Sequence, residues 1–126
     1  MNTYKLVRTE NLNHYGKLFG GELLKWVDEY VWIAASLDFP ATSFVTRAMD
    51  NCNFKYGVEN GAILRFHIER ISVGNTSVRY SADVYASMPE EPGERHIFST
   101  QITLAAIDSA GKKCAVPEPQ PNCGSA

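Results

Sequence analysis

NLNHYGKLFGGELLKWVDEYVWIAAS, residues 11–36, holds the one long helix that the sequence predicts. Gly16, Gly20 and Gly21 break up the approach to it. The helix is placed over Gly21–Leu37, and Pro40 follows where a helix has ended. On a wheel of 100° per residue with Leu23 at zero, Ala34, Val27, Val31, Leu24 and Ala35 fall between about 20° and 120°. Trp32 falls at about 180°, and Ile33, Trp26 and Tyr30 between about 280° and 340°. Only Lys25, Ser36, Glu29 and Glu22 make a polar wedge. A helix so widely apolar is expected to be enclosed, by a curved sheet and by a further partner surface. Asp28, at about 140°, is the only charge inside the apolar arc. A buried carboxylate costs several kcal/mol unless it is paired, hydrogen-bonded or protonated. The wheel leaves two readings of Asp28 open: a structural acid at the edge of an interface, or a reactive one.

The rest of the chain reads as strands. A short extended stretch at Thr3–Arg8 precedes the helix, and Ser43–Phe54 is rich in β-branched and aromatic residues with imperfect alternation. Ala62, Leu64, Phe66 and Ile68 alternate with polar residues, as do Val78, Tyr80, Ala82 and Val84, and then Phe98 through Ala106. Glu59-Asn60-Gly61 and Gly74-Asn75 suit tight hairpin turns, Ser87–Glu94 is a longer polar loop, and Asp108–Gly111 is another turn. Short turns make neighbouring strands antiparallel, because a parallel pair needs a long crossover. One helix on one antiparallel sheet is an α+β layout. A single domain over residues 1–116 is expected, with 117–126 (PEPQPNCGSA) as a disordered Pro-rich tail.

Composition narrows the function. The chain has 126 residues, 44% of them hydrophobic, and a formal charge of −2, with no basic run to meet nucleic acid or an anionic membrane. The N-terminus lacks the apolar core of a signal peptide, and no apolar run approaches the roughly 20 residues of a membrane span. Cys52, Cys114 and Cys123 lack C-x-x-C spacing and suit free thiols in a cytoplasmic protein. No nucleophile elbow, zinc-protease helix, Walker loop or dinucleotide fingerprint is present, and His14, His67 and His96 have no ligand spacing. No metal site is expected.

The string Asn13-x-x-Gly16-x-x-Phe19-Gly20-Gly21-x-x-Leu24-x-x-x-Asp28 resembles the hotdog-fold acyl-CoA thioesterases, in particular bacterial acyl-CoA hydrolases of broad chain-length tolerance. Asp50-x-x-x-Phe54, Val73-Gly74-x-x-Ser77 and the closing strand Arg95–Asp108 continue it, over roughly residues 4–117. Tyr56 stands where relatives often carry proline, a departure that bears on the shape of the substrate channel. The resemblance implies a hotdog fold: one long central helix wrapped by a five-stranded antiparallel sheet. It also implies a homodimer, or a tetramer or hexamer built from it, with the active site at the subunit interface. Asp28 then matches the family's catalytic acid, and Asn13 its amide partner from the opposite subunit.

The chemistry this implies is sparse. A thioester's leaving thiol has a pKa of about 8.5 and departs with little acid help. Unpaired N–H groups and the positive dipole end at Phe19-Gly20-Gly21 would hold the developing oxyanion, with Gly21 as donor. Asp28 would activate a water as general base or attack the carbonyl itself, and Asn13 would orient water or carbonyl. The acyl-CoA substrate supplies its own coenzyme A, and no cofactor is required. Phe19, Gly20, Lys55 and the turn Gly74, Asn75, Thr76, Ser77 are substrate-binding candidates, although that turn also reads as a plain hairpin. Arg79, Lys112 and Lys113 are phosphate-contact candidates only because coenzyme A is polyanionic. Two other functions compete: hydration or dehydration of an enoyl thioester, which usually adds a histidine to the acid, and non-catalytic binding of acyl-CoA.

Overall fold

The computed structural model describes residues 1–119, so most of the expected tail, residues 120–126, lies outside the described residues. Helix α1 spans Gly20–Asp38, one residue longer at each end than predicted. Strands β1 (Asn2–Leu6), β2 (Ser43–Phe54), β3 (Ile63–Val73), β4 (Ser77–Ser87) and β5 (Arg95–Ile107) form one sheet in the order β1-β3-β4-β5-β2. Every pairing is antiparallel, as expected for the α+β layout.

α1 lies across one face of this sheet. Val27, Val31 and Ala35 are fully sealed against the alternating positions Leu64, Phe66 and Ile68 of β3, Val78, Tyr80 and Ala82 of β4, and Phe98, Ile102 and Leu104 of β5. The opposite sheet face carries the polar alternates, such as Arg65, His67, Ser81, Asp83, Ser99 and Gln101.

Two connections differ from the sequence reading. The turn at Glu59-Asn60-Gly61 closes no hairpin: Gly61 takes φ +89° and bonds back to Val7, but β2 pairs with β5 rather than with β3. Residues 55–62 instead cross from one side of the sheet to the other. They pass the start of α1, where Leu18 N–H donates to the Val58 carbonyl at 2.7 Å and Val58 is buried. The imperfect alternation of β2 also has a cause. Its register slips between Thr46 and Ala48 and again between Asp50 and Asn53, with Asn51 at φ +56°. Each bulge inserts a residue and reverses which parity faces the helix.

The far end of α1 is clamped. Asp38, the last helical residue, is an acid at the negative end of the helix dipole. Arg70 Nη1 lies 3.0 Å from its carboxylate, and the Tyr80 hydroxyl donates to it at 2.6 Å. Burial first, and then that hydrogen bond to Asp38, raise the Tyr80 phenol above its ordinary value of 10.0. A folded value above the unfolded one means stability that is complete below about pH 10 and is lost as the pH rises beyond it. Tyr80→Phe is expected to lower stability by about 1–2 kcal/mol in urea unfolding at neutral pH. Unfolding curves at rising alkaline pH should show a smaller loss for the variant than for the parent.

Candidate active site

Asp28 sits midway along α1, half-buried on the stripe that also carries Gly21, Leu24 and Trp32. Its carboxylate accepts a hydrogen bond of 2.6 Å from the Thr46 hydroxyl of β2, and no cation pairs with it among the described residues. One turn on, the Trp32 indole N–H donates to the Phe44 carbonyl at 3.3 Å. β2 thus runs back along α1 and holds both side chains. In a single copy this stripe is covered only in part: Trp32 is 46% exposed, and Val45 of β2 43%. β2 is also an edge strand, its second side unpaired.

Thr46 is the Asp28 partner that the sequence reading does not include. Nothing in its identity marks it, and the phase slip at Arg47 hides which residues of β2 face the helix. The detectable signal is a hydroxyl on the strand that returns along the acid's face of the helix.

The start of α1 is open. Phe19, at the N-cap, offers no side-chain cap. Glu22 and Leu23 bond back to its carbonyl at 3.0 and 3.2 Å, while the N–H groups of Gly20 and Gly21 have no partner among the described residues. The Phe19 ring packs closely on Gly21: a Cβ there would lie 2.8 Å from it and push the exposed ring aside. The half-exposed Phe54 ring lies against Gly20 and tilts on Phe98 at 4.7 Å. Lys55 follows directly, its backbone N–H on the Ile97 carbonyl and its ammonium without an ion-pair partner among the described residues.

Asn13 stands in the loop that leads into this end. Its side-chain carbonyl accepts from the N–H groups of Tyr15 (2.9 Å) and Lys17 (3.2 Å), which closes a tight loop and leaves the amide NH₂ as its unused group. Asn11, two residues earlier, is buried and donates to Glu22 at 3.3 Å.

The remaining candidates scatter. Gly21 and Asp28 share a face, but seven residues at 1.5 Å each separate them by about 10 Å along the axis. The Gly74–Ser77 turn closes the β3–β4 hairpin (Gly74 N–H to Ser77 carbonyl, 2.8 Å) and packs on the end of β5 through the Thr76 carbonyl. Lys112 and Lys113 lie at that same end, beside the start of β2 and away from Gly20. Arg79 faces the outer side of the sheet, bonded to Gln101 and 3.9 Å from Asp50. His67 and His96 also face outward, on Asn2 and Asp83, and His14 lies tilted against Tyr15. None of the three histidines bonds to Asp28 among the described residues. No group of three or more His, Cys, Asp or Glu residues there suits a metal ion.

The sequence and fold of this chain have known counterparts. An uncharacterized acyl-CoA thioester hydrolase of Zymomonas mobilis is 29% identical over 107 residues, covering 85% of this chain and 71% of that one. A hexameric hotdog fold thioesterase of Campylobacter jejuni superposes with a TM-score of 0.82 at 28% identity, covering 91% of this chain and 88% of that one. An acyl-CoA hydrolase of Staphylococcus aureus, solved with butyryl coenzyme A, coenzyme A and coenzyme A disulfide, shares the fold with a TM-score of 0.84 at 24% identity, over 98% of this chain and 74% of that one. The fold is thus a hotdog fold. The family model of the thioesterase superfamily matches residues 15–92, more than half of the sequence and the whole of α1 and β2, and the chain belongs to that superfamily.

Proposed function

We propose that this protein hydrolyses acyl-CoA thioesters to the free acid and coenzyme A. The observation that carries the reading is the Asp28 carboxylate, held by Thr46 on a half-open helix face without a cation to neutralise it. The acyl-CoA hydrolases of similar sequence and fold support it. In the reaction, the oxygen of water, or Asp28 itself, adds to the thioester carbonyl carbon. The C–S bond then breaks, and the thiolate of coenzyme A leaves and takes up a proton. Asp28 removes the water's proton if it acts as base, or is freed by a second attack of water if it acts as nucleophile. Water and substrate are the only reactants, and Asp28 as base or nucleophile would serve the step without a metal or cofactor. An enoyl hydratase would want a histidine beside the acid, and the described histidines lie elsewhere.

The reading also requires a second copy of the chain. The open edge of β2, on which Val45 is exposed, invites strand pairing, and the half-exposed Trp32 is bonded to the same strand. A two-fold pair joined edge to edge sets the start of one β2 beside the end of the other. That brings the Gly74–Ser77 turn, Lys112 and Lys113 of one copy to the end where the other copy's α1 begins. Lys55, Phe19, Gly20 and the free N–H of Gly21 are already there, and the combined group suits a polyanionic nucleotide; within one copy, the Gly21 N–H is about 10 Å along α1 from Asp28, too far to hold the oxyanion of a carbonyl at Asp28. The Asn13 amide, contributed across the same junction, donates to the carbonyl or orients the water. The hexamer of the Campylobacter relative is consistent with further assembly of such pairs.

Asp28→Asn should leave a folded protein whose thiol release from acetyl- to octanoyl-CoA falls by about 10²–10⁴-fold. Near-parental turnover would remove Asp28 from the mechanism. Thr46→Val should reduce kcat by about tenfold to a hundredfold, the loss of one hydrogen bond to a charged group, with little change in KM. Val45→Lys, a charge on the open edge, should shift the protein to a smaller species in size-exclusion chromatography and abolish turnover together with assembly.

A further inference from the structure

Among the described residues, two side-chain hydrogen bonds join α1 to β2, and their spacing matches on both elements. The Asp28 carboxylate accepts from the Thr46 hydroxyl at 2.6 Å, and the Trp32 indole N–H donates to the Phe44 carbonyl at 3.3 Å. Asp28 and Trp32 stand four residues apart, about 6 Å along the helix axis. Thr46 and Phe44 stand two residues apart, about 6.6 Å along the strand. The helix runs forward from Asp28 to Trp32 while the strand runs back from Thr46 to Phe44. The two bonds are therefore successive rungs between antiparallel elements.

One rung fixes a point and leaves the strand free to pivot about it; a second rung fixes its direction. The second matters because Thr46 has little else to hold it within one copy. β2 is an edge strand, and its ladder to β5 breaks just beyond Thr46. Thr46 stands opposite Leu104 and Ala48 opposite Thr103, with Arg47 looped out between them. A bulge of this kind disrupts the ladder locally and bends the strand. Burial of the Phe44 ring seats the start of β2, but burial is non-directional, whereas a hydrogen bond is not.

We propose that Trp32 is a positioning residue for the hydrolysis: its N–H holds the β2 backbone where the Thr46 hydroxyl reaches Asp28. It acts on the acid only through Thr46. This rests on the hydrolase reading above and adds to it a residue that aims the acid's partner. The test is a double-mutant cycle read on kcat with butyryl-CoA. Trp32→Phe removes the N–H and retains a ring, and it should lower kcat about threefold to tenfold, the worth of one neutral hydrogen bond, with KM within about twofold of the parent. In a Thr46→Val background no hydroxyl is left to place, and the same substitution should cost less than about twofold. A merely structural tryptophan would cost the same in both backgrounds, so equal losses overturn the proposal. An unchanged kcat in Trp32→Phe, or a parental kcat in Thr46→Val, overturns it as well. If circular dichroism shows that Trp32→Phe does not fold, the same cycle is read on a tryptophan analogue at position 32 with sulfur in place of the indole N–H, which keeps the shape. A parent protein that releases no thiol from butyryl-CoA overturns the hydrolase reading instead, so the two failures are distinguishable.

Discussion

The structure depends on enclosing a helix that is apolar around most of its circumference. Such a helix cannot rest on a sheet by one stripe, because its remaining faces would stay in water. Here the sheet covers one side and β2 folds back along another, and the clasp is made by two polar contacts: Thr46 on Asp28 and Phe44 on Trp32. Those contacts give a half-buried acid a partner without neutralising it. A cation in place of Thr46 would have made Asp28 a structural ion pair; a hydroxyl fixes its orientation and leaves its charge.

Packing and chemistry are consequently the same problem in this molecule. The stripe of α1 that bears Gly21, Leu24, Asp28 and Trp32 is covered only in part, by β2. The end of the helix that no side chain caps is the end toward which that stripe leads. At the opposite end, Arg70 and Tyr80 hold Asp38, so α1 is fixed where it ends and open where it begins.

Much of this was legible in the sequence, and the reasons are specific. The helix was readable because its apolar residues fall on a wheel, and β3, β4 and β5 because their alternation is clean. Asp28 stood out as a charge in the wrong arc. β2 was readable as a strand but not in its facing, since two bulges reverse its phase and Thr46 disappears into the irregularity. The turn at Glu59-Asn60-Gly61 was readable as a turn but not in what it joins. Local turn chemistry says that the chain bends, whereas the choice of β5 over β3 as the partner of β2 is made by long-range burial. The enclosure of α1 is complete only on the sheet side of one copy, and Trp32 stays half uncovered where the sequence asks for a further partner surface.

The pairing of β2 with the last strand has a consequence for how the protein is made. Residues 43–54 leave the ribosome well before residues 95–107, which they must join. At about 5–20 residues per second, several seconds pass in which an unpartnered, bulged strand and a greasy helix wait together. Contacts so distant in sequence slow folding and prolong exposure to aggregation. The hydroxyl that orients the acid is therefore among the last groups to be locked in place, and a chain truncated before its final strand would hold the acid without the support that aims it.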